Sequence, residues 1–362
     1  MSLPTAARLL EEGIARGLHP GAQLYVSLGG RTVADLAVGE SRPGAPMTPD
    51  LLTLWLSAAK PLTAVAVARL WQDGALDLDE PVARHLPEFA QGGKERVTVR
   101  HLLTHTGGFR TRDIGLLRSW EENLARICAA PLEPGWTPGA RTAYQPASSW
   151  FVLGEVIQRI AGEPFQRHLR ERVLLALGMD GSWPGMPPEI YGTLRHRLVP
   201  AYRAGLPGGW RPYPWDGEAY VGRSSPAENA WGPARELGRF YEALLAGGRG
   251  ALSPATVAAL TTPAAADGAF DESLKRVVHW GLGLRINGPT ADGLSGAAEM
   301  GRHASPGSFG HGGFRSSLAF ADPGHGLVLV LIANGLPDGP EHRKRVRTVA
   351  EAVYADLGLD RP

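Results

Sequence analysis

Ser57 and Lys60 stand three residues apart at the head of an apolar run (Leu62, Ala64, Val65, Ala66, Val67, Ala68, Leu70, Trp71) that stops at Asp73-Gly74. A run with no polar face reads as a buried helix with glycine as its stop. Three-residue spacing puts the hydroxyl and the amine on one face of its first turn. An amine there loses part of its preference for the charged form, through desolvation and through the positive end of the helix dipole. A neutral lysine can take a serine proton, and the pair becomes an activated nucleophile. Taken alone, the same spacing also describes a capping serine with a lysine snorkelling beside it. Lysine is scarce here, at Lys60, Lys94, Lys275 and Lys344 only, so arginine is the default surface cation and Lys60 is a departure from it. Pro61 is tolerable because first-turn N–H groups have no intrahelical partner.

Two other stretches hold groups of the same kind. Tyr144-Gln145-Pro146 closes a turn region ahead of a strongly apolar segment, and Phe309-Gly310-His311-Gly312-Gly313-Phe314 is glycine-dense and leads toward a strand-like run. His101 and His105, four apart, invite a zinc reading, but Leu102 stands where a metallohydrolase of the His-Glu-x-x-His type needs glutamate. Structural histidines are the better account, and no metal or cofactor is expected.

The elements that must hold these residues follow from periodicity. Helical spacing covers 4–17, 99–105 (capped by Thr98), 116–130, 147–161, 164–177, 233–246 and 341–357. Ala22–Leu28 and Thr32–Val38 flank Gly29-Gly30-Arg31 as a hairpin; Val277–Ile286, Phe314–Ala321 and Leu327–Ala333 read as strands, the last apolar throughout and hence central. Between 181 and 230 the chain turns to Pro, Gly, Trp, Tyr and Arg with weak periodicity, which in a compact protein points to a functional loop region. Strands at both ends with helices between predict an α+β fold: an antiparallel sheet from residues 1–56 and 276–362, a mainly helical unit over 57–275, and the active site between them.

A hydrophobic fraction of 43% and a charged fraction of 20% are ordinary for a soluble globular chain, and a net charge of +1 argues against nucleic acid. Cys128 is the single cysteine, which excludes an internal disulfide framework. The opening Met1-Ser2-Leu3-Pro4 lacks the charged-then-apolar pattern of a secretory signal, and no apolar run reaches transmembrane length. A cytoplasmic protein without membrane partners is expected.

Ser57-x-x-Lys60, then Tyr144, then His311-Gly312-Gly313 resembles the serine β-lactamase and penicillin-binding-protein superfamily, and is most similar to its class C branch with family VIII carboxylesterases. Val97 to Gly108, Gly232 to Phe240 and Trp280-Gly281-Leu282-Gly283-Leu284 fit the same pattern, so the resemblance covers nearly the whole chain. It implies Ser57 as the acylated nucleophile, Lys60 as its proton acceptor, and Tyr144 as partner base and then acid to the leaving group. It also implies an oxyanion hole from the backbone N–H groups of Ser57 and Phe314. A phenol of free pKa near 10 becomes a base only where a neighbouring cation favours the phenolate. His311, Gly312 and Gly313 would line the substrate path, where glycine lets a substrate backbone pass closely.

The chain departs from that pattern at three points. Pro146 replaces the usual asparagine, His311 the usual lysine and Phe314 a small residue. Proline has no side-chain amide, and neutral histidine is a poor partner for a carboxylate. These changes favour an apolar acyl substrate and a serine esterase acting on small-molecule esters. β-Lactamase, D-amino-acid amidase or acyltransferase activity on the same machinery, or a non-catalytic binding protein, are the alternatives. Among Trp136, Trp150, Trp183, Trp210, Trp215 and Trp231, the last is expected to wall the pocket.

Overall fold

The computed structural model describes residues 2–111, 114–115, 118–204, 209–265, 267–289 and 297–360. Residues 116–117 of the expected 116–130 helix and 205–208 of the 181–230 region lie outside them; the helix itself is Trp120–Ala129.

A nine-stranded antiparallel sheet runs Ala45–Pro46, Arg31–Arg42, Gly21–Leu28, Leu327–Ala333, Ser317–Asp322, Phe309–Gly313, Arg285–Ile286, Arg276–Trp280, Ala269–Asp271. Its centre follows from composition. In Leu327–Ala333 every residue is buried, with Leu327, Leu329 and Leu331 in one apolar cluster and Val328, Val330 and Ile332 in another. Alternate side chains of a strand face opposite ways, so a continuously apolar strand needs cover on both sides. Helices Pro4–Ala15 and Gly339–Asp356 supply one cover, and Ala234–Leu245 with the helical part of the chain supplies the other. Gly29 and Gly30, both at positive φ (57° and 74°), close the first hairpin as its twist requires.

Three expectations need correction. The run Val277–Ile286 is two short strands, because Gly281 and Gly283 (φ 76°) turn the chain between Trp280 and Arg285. The strand begins at Phe309, not at Phe314: Phe309–Gly313 is itself in the sheet, and Phe314–Ser316 form the turn into Ser317–Asp322. The 181–230 region contains short elements, among them helices Pro188–Leu194 and Glu218–Val221. Met186, Leu198, Tyr220, Val221 and Trp231 form a small core there with Leu52, Leu54 and Leu56. Helix Pro254–Thr261, capped by Ser253, was not anticipated. Among the described residues no helix is long and apolar enough to cross a membrane.

Candidate active site

Ser57 lies in a 3-10 turn, Leu56–Ala59, that leads directly into helix Lys60–Gln72. The helix has Ala59 as its N-cap with no side-chain cap bond, so Ser57 is not a capping serine. Leu56 stands at φ 51°, a left-handed conformation that costs a non-glycine residue of order 1–3 kcal/mol. Its surroundings hold it there. The Trp55 indole donates to the carbonyl of Gly232 (3.0 Å), the Trp55 amide donates to Ala230 (2.9 Å), and the Trp55 carbonyl accepts from Ser317 Oγ (3.2 Å). The strain therefore sits one residue before the hydroxyl that needs a fixed direction.

Lys60 is fully buried beneath Ser57, with Nζ donating to Ser57 Oγ (2.9 Å) and to the carbonyl of Ala227 (2.9 Å). Burial drives its ammonium down to about 7, and the charge of Glu228 offsets only part of that. Near neutral pH a large share of Lys60 is the free amine, whose lone pair can accept a proton across the same contact.

The Tyr144 hydroxyl donates to Ser57 Oγ at 3.2 Å, so the three side chains expected to act together converge on one oxygen. Burial pushes the Tyr144 phenol up to about 12, with the hydrogen bond to Ser57 opposing. Burial thus disfavours the phenolate that the partner-base role of Tyr144 would need, and leaves its hydroxyl suited to the acid role. Asp271 positions Tyr144 from a distant strand. Its carboxylate accepts from the backbone N–H of Tyr144 (3.0 Å), the indole of Trp280 (3.1 Å) and the amides of Ser273 and Leu274 (2.9 Å each). Trp280 in turn stacks on the Tyr144 ring, 5.7 Å between centroids and 6° from parallel. Asp271→Ala is therefore expected to lower kcat by up to about 100-fold with little change in KM, as a small displacement of a reacting group does. Steady-state kinetics on one ester check this.

His105, at φ 58°, packs edge-on against Trp280 and accepts from the amide of Gln145 at Nδ1 (3.1 Å), while His101 accepts from the amide of Thr98 in a capping box. Burial, then the charge of Lys60, holds His105 neutral at about 3. It is a second support of the tyrosine segment.

His311, Gly312 and Gly313 line a cavity of about 640 Å³ together with Ser57, Tyr144 and Pro146. The ladder with Arg285–Ile286 ends at Gly310, which leaves the edge of the next three residues open to that cavity. A Cβ on Gly313 would collide with Ser317 Oγ and the Trp55 carbonyl, so only glycine allows this strand to pass so close to the nucleophile's turn. His311 is buried and held well below its ordinary range by burial and by the charges of Lys60 and Arg285. It is a neutral wall, with Nδ1 at 2.7 Å from the Gly312 carbonyl and Nε2 without a partner among the described residues.

Trp231 does not wall the pocket. It is fully buried, pairs with Leu54 and Trp183 through its backbone, and donates its indole N–H to Asn229 Oδ1 (2.8 Å), bracing the chain behind Ser57. Besides Tyr144, the cavity is lined by Trp280 and Phe314, the latter 53% exposed.

The cavity is also less apolar than expected. Lys275, Arg276, Arg285, Arg315 and Arg343 line it against Glu228 and Glu299. Glu299 is committed already: it pairs with Arg276 (2.9 Å) and Arg285 (3.3 Å), and these cations outweigh its burial and hold it at about 2. A second cavity of about 550 Å³ adjoins the first at Glu228 and Phe314, lined by Leu56, Pro214, Trp215, Ala219 and Tyr220. Trp215 stacks between Tyr213 (4.2 Å) and Tyr220 (5.8 Å).

A sheet of N- and C-terminal strands, with Ser57, Lys60 and Tyr144 meeting under its open edge, defines a serine hydrolase of the β-lactamase fold. The chain belongs to the Beta-lactamase family, whose model matches residues 6–354. It is 30% identical to Esterase EstB of Burkholderia gladioli over 378 aligned residues, 92% of this chain and 91% of that one. It is 27% identical to Esterase/beta-lactamase LipL of Mycobacterium tuberculosis, over 87% of this chain and 77% of LipL. A penicillin-binding protein homologue from Caulobacter crescentus superposes with a TM-score of 0.80 at 28% identity, covering 98% and 97% of the two chains.

Proposed function

We propose that this protein is a carboxylesterase that cleaves small or apolar esters through an acyl-enzyme on Ser57. The observation that carries the proposal is the convergence of the buried Lys60 amine and the Tyr144 hydroxyl on Ser57 Oγ, at 2.9 and 3.2 Å. Ser57 Oγ attacks the ester carbonyl as its proton passes to Lys60. The backbone N–H groups of Ser57 and Phe314 receive the developing oxyanion, each such donor being worth about 3–4 kcal/mol of barrier. Collapse of the tetrahedral species breaks the ester C–O bond. Tyr144 gives its proton to the departing alkoxide, and the Lys60 ammonium restores it. A water entering where the alcohol left repeats the sequence in reverse and frees the acid and Ser57.

Ester preference rests on what the site lacks for amides: Pro146 offers no amide group, and His311 is neutral. EstB, named as an esterase, supports this reading, while LipL is named for esterase and β-lactamase alike. One observation favours a second reading, a β-lactam or other anionic amide, namely the excess of arginine along the larger cavity. Parallel assay of p-nitrophenyl butyrate, a D-amino-acid amide and nitrocefin decides between them. The proposal expects the ester to have the highest kcat/KM by at least about 100-fold; nitrocefin turnover equal to or above that of the ester would overturn it.

A further inference from the structure

We infer that the cavity walled by Leu56, Trp215, Ala219, Tyr220 and Phe314 is the acyl subsite and takes an aromatic or branched apolar acyl group. This rests on the reading of Ser57 as an ester nucleophile. The direction follows from where protons must go. Cleavage requires an acid beside the leaving oxygen, and Tyr144, which supplies it, lines the larger cavity and not this one. The alcohol therefore departs over the larger, cationic cavity. The acyl substituent, on the other side of the same carbonyl carbon, points past Leu56 and Phe314 into the smaller one. The two cavities meet at Phe314 and Glu228, so one ester spans both.

The chemistry of the smaller cavity fits an apolar group. Its walls are an aliphatic residue, two prolyl or alanyl surfaces and three aromatic rings, with Glu228 at the neck as its one carboxylate among the described residues. Trp215 is held flat between Tyr213 and Tyr220, so the wall is preformed. Offset stacking adds to simple area burial for an aromatic substituent. A volume of about 550 Å³ lies in the range of ordinary ligand pockets and is far larger than an acetyl group needs. The 53% exposure of Phe314, a large apolar side chain left facing solvent at the junction, is explained if an acyl group covers it.

The test holds the alcohol constant and varies the acid. The p-nitrophenyl esters of acetic and 3-phenylpropionic acid are compared in the wild type, Trp215→Ala and Ala219→Trp; the second variant fills the cavity from an exposed position on a short helix. The ratio of kcat/KM for phenylpropionyl over acetyl is expected to exceed about 10 in the wild type and to fall at least tenfold in both variants. Thermal midpoints near that of the wild type accompany the Ala219→Trp result. A wild-type ratio near one, with turnover that still needs Ser57, would overturn the acyl assignment alone. Turnover that survives Ser57→Ala would overturn the nucleophile reading and the inference with it. A falling ratio for aryl alcohols with a common acetyl group, without one for aryl acids, would reverse the two cavities.

Discussion

Ser57→Ala lowers kcat for p-nitrophenyl butyrate by roughly 10⁴- to 10⁶-fold, the scale seen when a covalent nucleophile is removed from machinery that acts as a unit. The two side chains that touch its hydroxyl cannot replace it. Lys60 is fully buried below the cavity, and the Tyr144 phenol is held up to about 12 by burial, so neither is an available nucleophile near neutral pH. Ser57 is not a helix cap, so its loss costs the helix start no capping bond. The variant therefore keeps the wild-type circular dichroism spectrum while losing turnover, and a residual rate within tenfold of wild type excludes the role given to Ser57.

Lys60→Met carries the second large effect, a fall in kcat of roughly 10²- to 10⁴-fold, the usual contribution of a positioned general base. Methionine fills the same apolar channel without an amine. The buried Ala227 carbonyl loses its donor, a cost of about 1–3 kcal/mol that relief of the amine's desolvation offsets in part, so a modest fall in the thermal midpoint is expected. The pH profile gives the sharper reading. Burial lowers Lys60 to about 7, and only the neutral amine accepts a proton. Wild-type kcat/KM is thus low below pH 7, rises through an inflection near that value as the amine forms, and levels off above it. The limb disappears in Lys60→Met. In Glu228→Gln it moves to lower pH, because the Glu228 carboxylate is the charge that holds Lys60 up against burial. A limb that stays in place in both variants belongs to another group and removes Lys60 from the role of base.

The sequence made some of this site legible and left the rest hidden for identifiable reasons. Ser57 and Lys60 lie three residues apart in one turn, so local spacing alone pairs them. Tyr144 is 87 positions from Ser57 and reaches it only because Asp271, on a strand at the far edge of the sheet, holds its backbone. No local pattern carries such a contact, and only the resemblance to related proteins placed it. Trp280 was in view within its glycine motif, but its stacking on Tyr144 depends on the hairpin that Gly281 and Gly283 create. The place of Trp231 beside the segment 232–240 pointed to it as the pocket wall, and the structure corrects that choice. Trp231 pairs in a short ladder behind Ser57, whereas Trp215 reaches a cavity. In the fold, Leu327–Ala333 and the Gly29-Gly30 hairpin were legible because burial on both faces and positive φ each leave a residue-level mark. Phe309–Gly313 hid its strand because its glycines answer to close approaches, Gly313 to Trp55 and Gly310 to Ala319 and Phe320 of the next strand, and not to strand propensity.

Trapping the intermediate tests the central claim most directly. The enzyme is mixed with p-nitrophenyl butyrate, quenched in acid within the first turnovers, and examined by intact mass and peptide mapping. One butyryl group is expected on the peptide that carries Ser57, in step with a burst of p-nitrophenol, and none in Ser57→Ala. A butyryl group on any other residue, or full turnover with no covalent adduct under conditions where the burst is seen, would contradict the account.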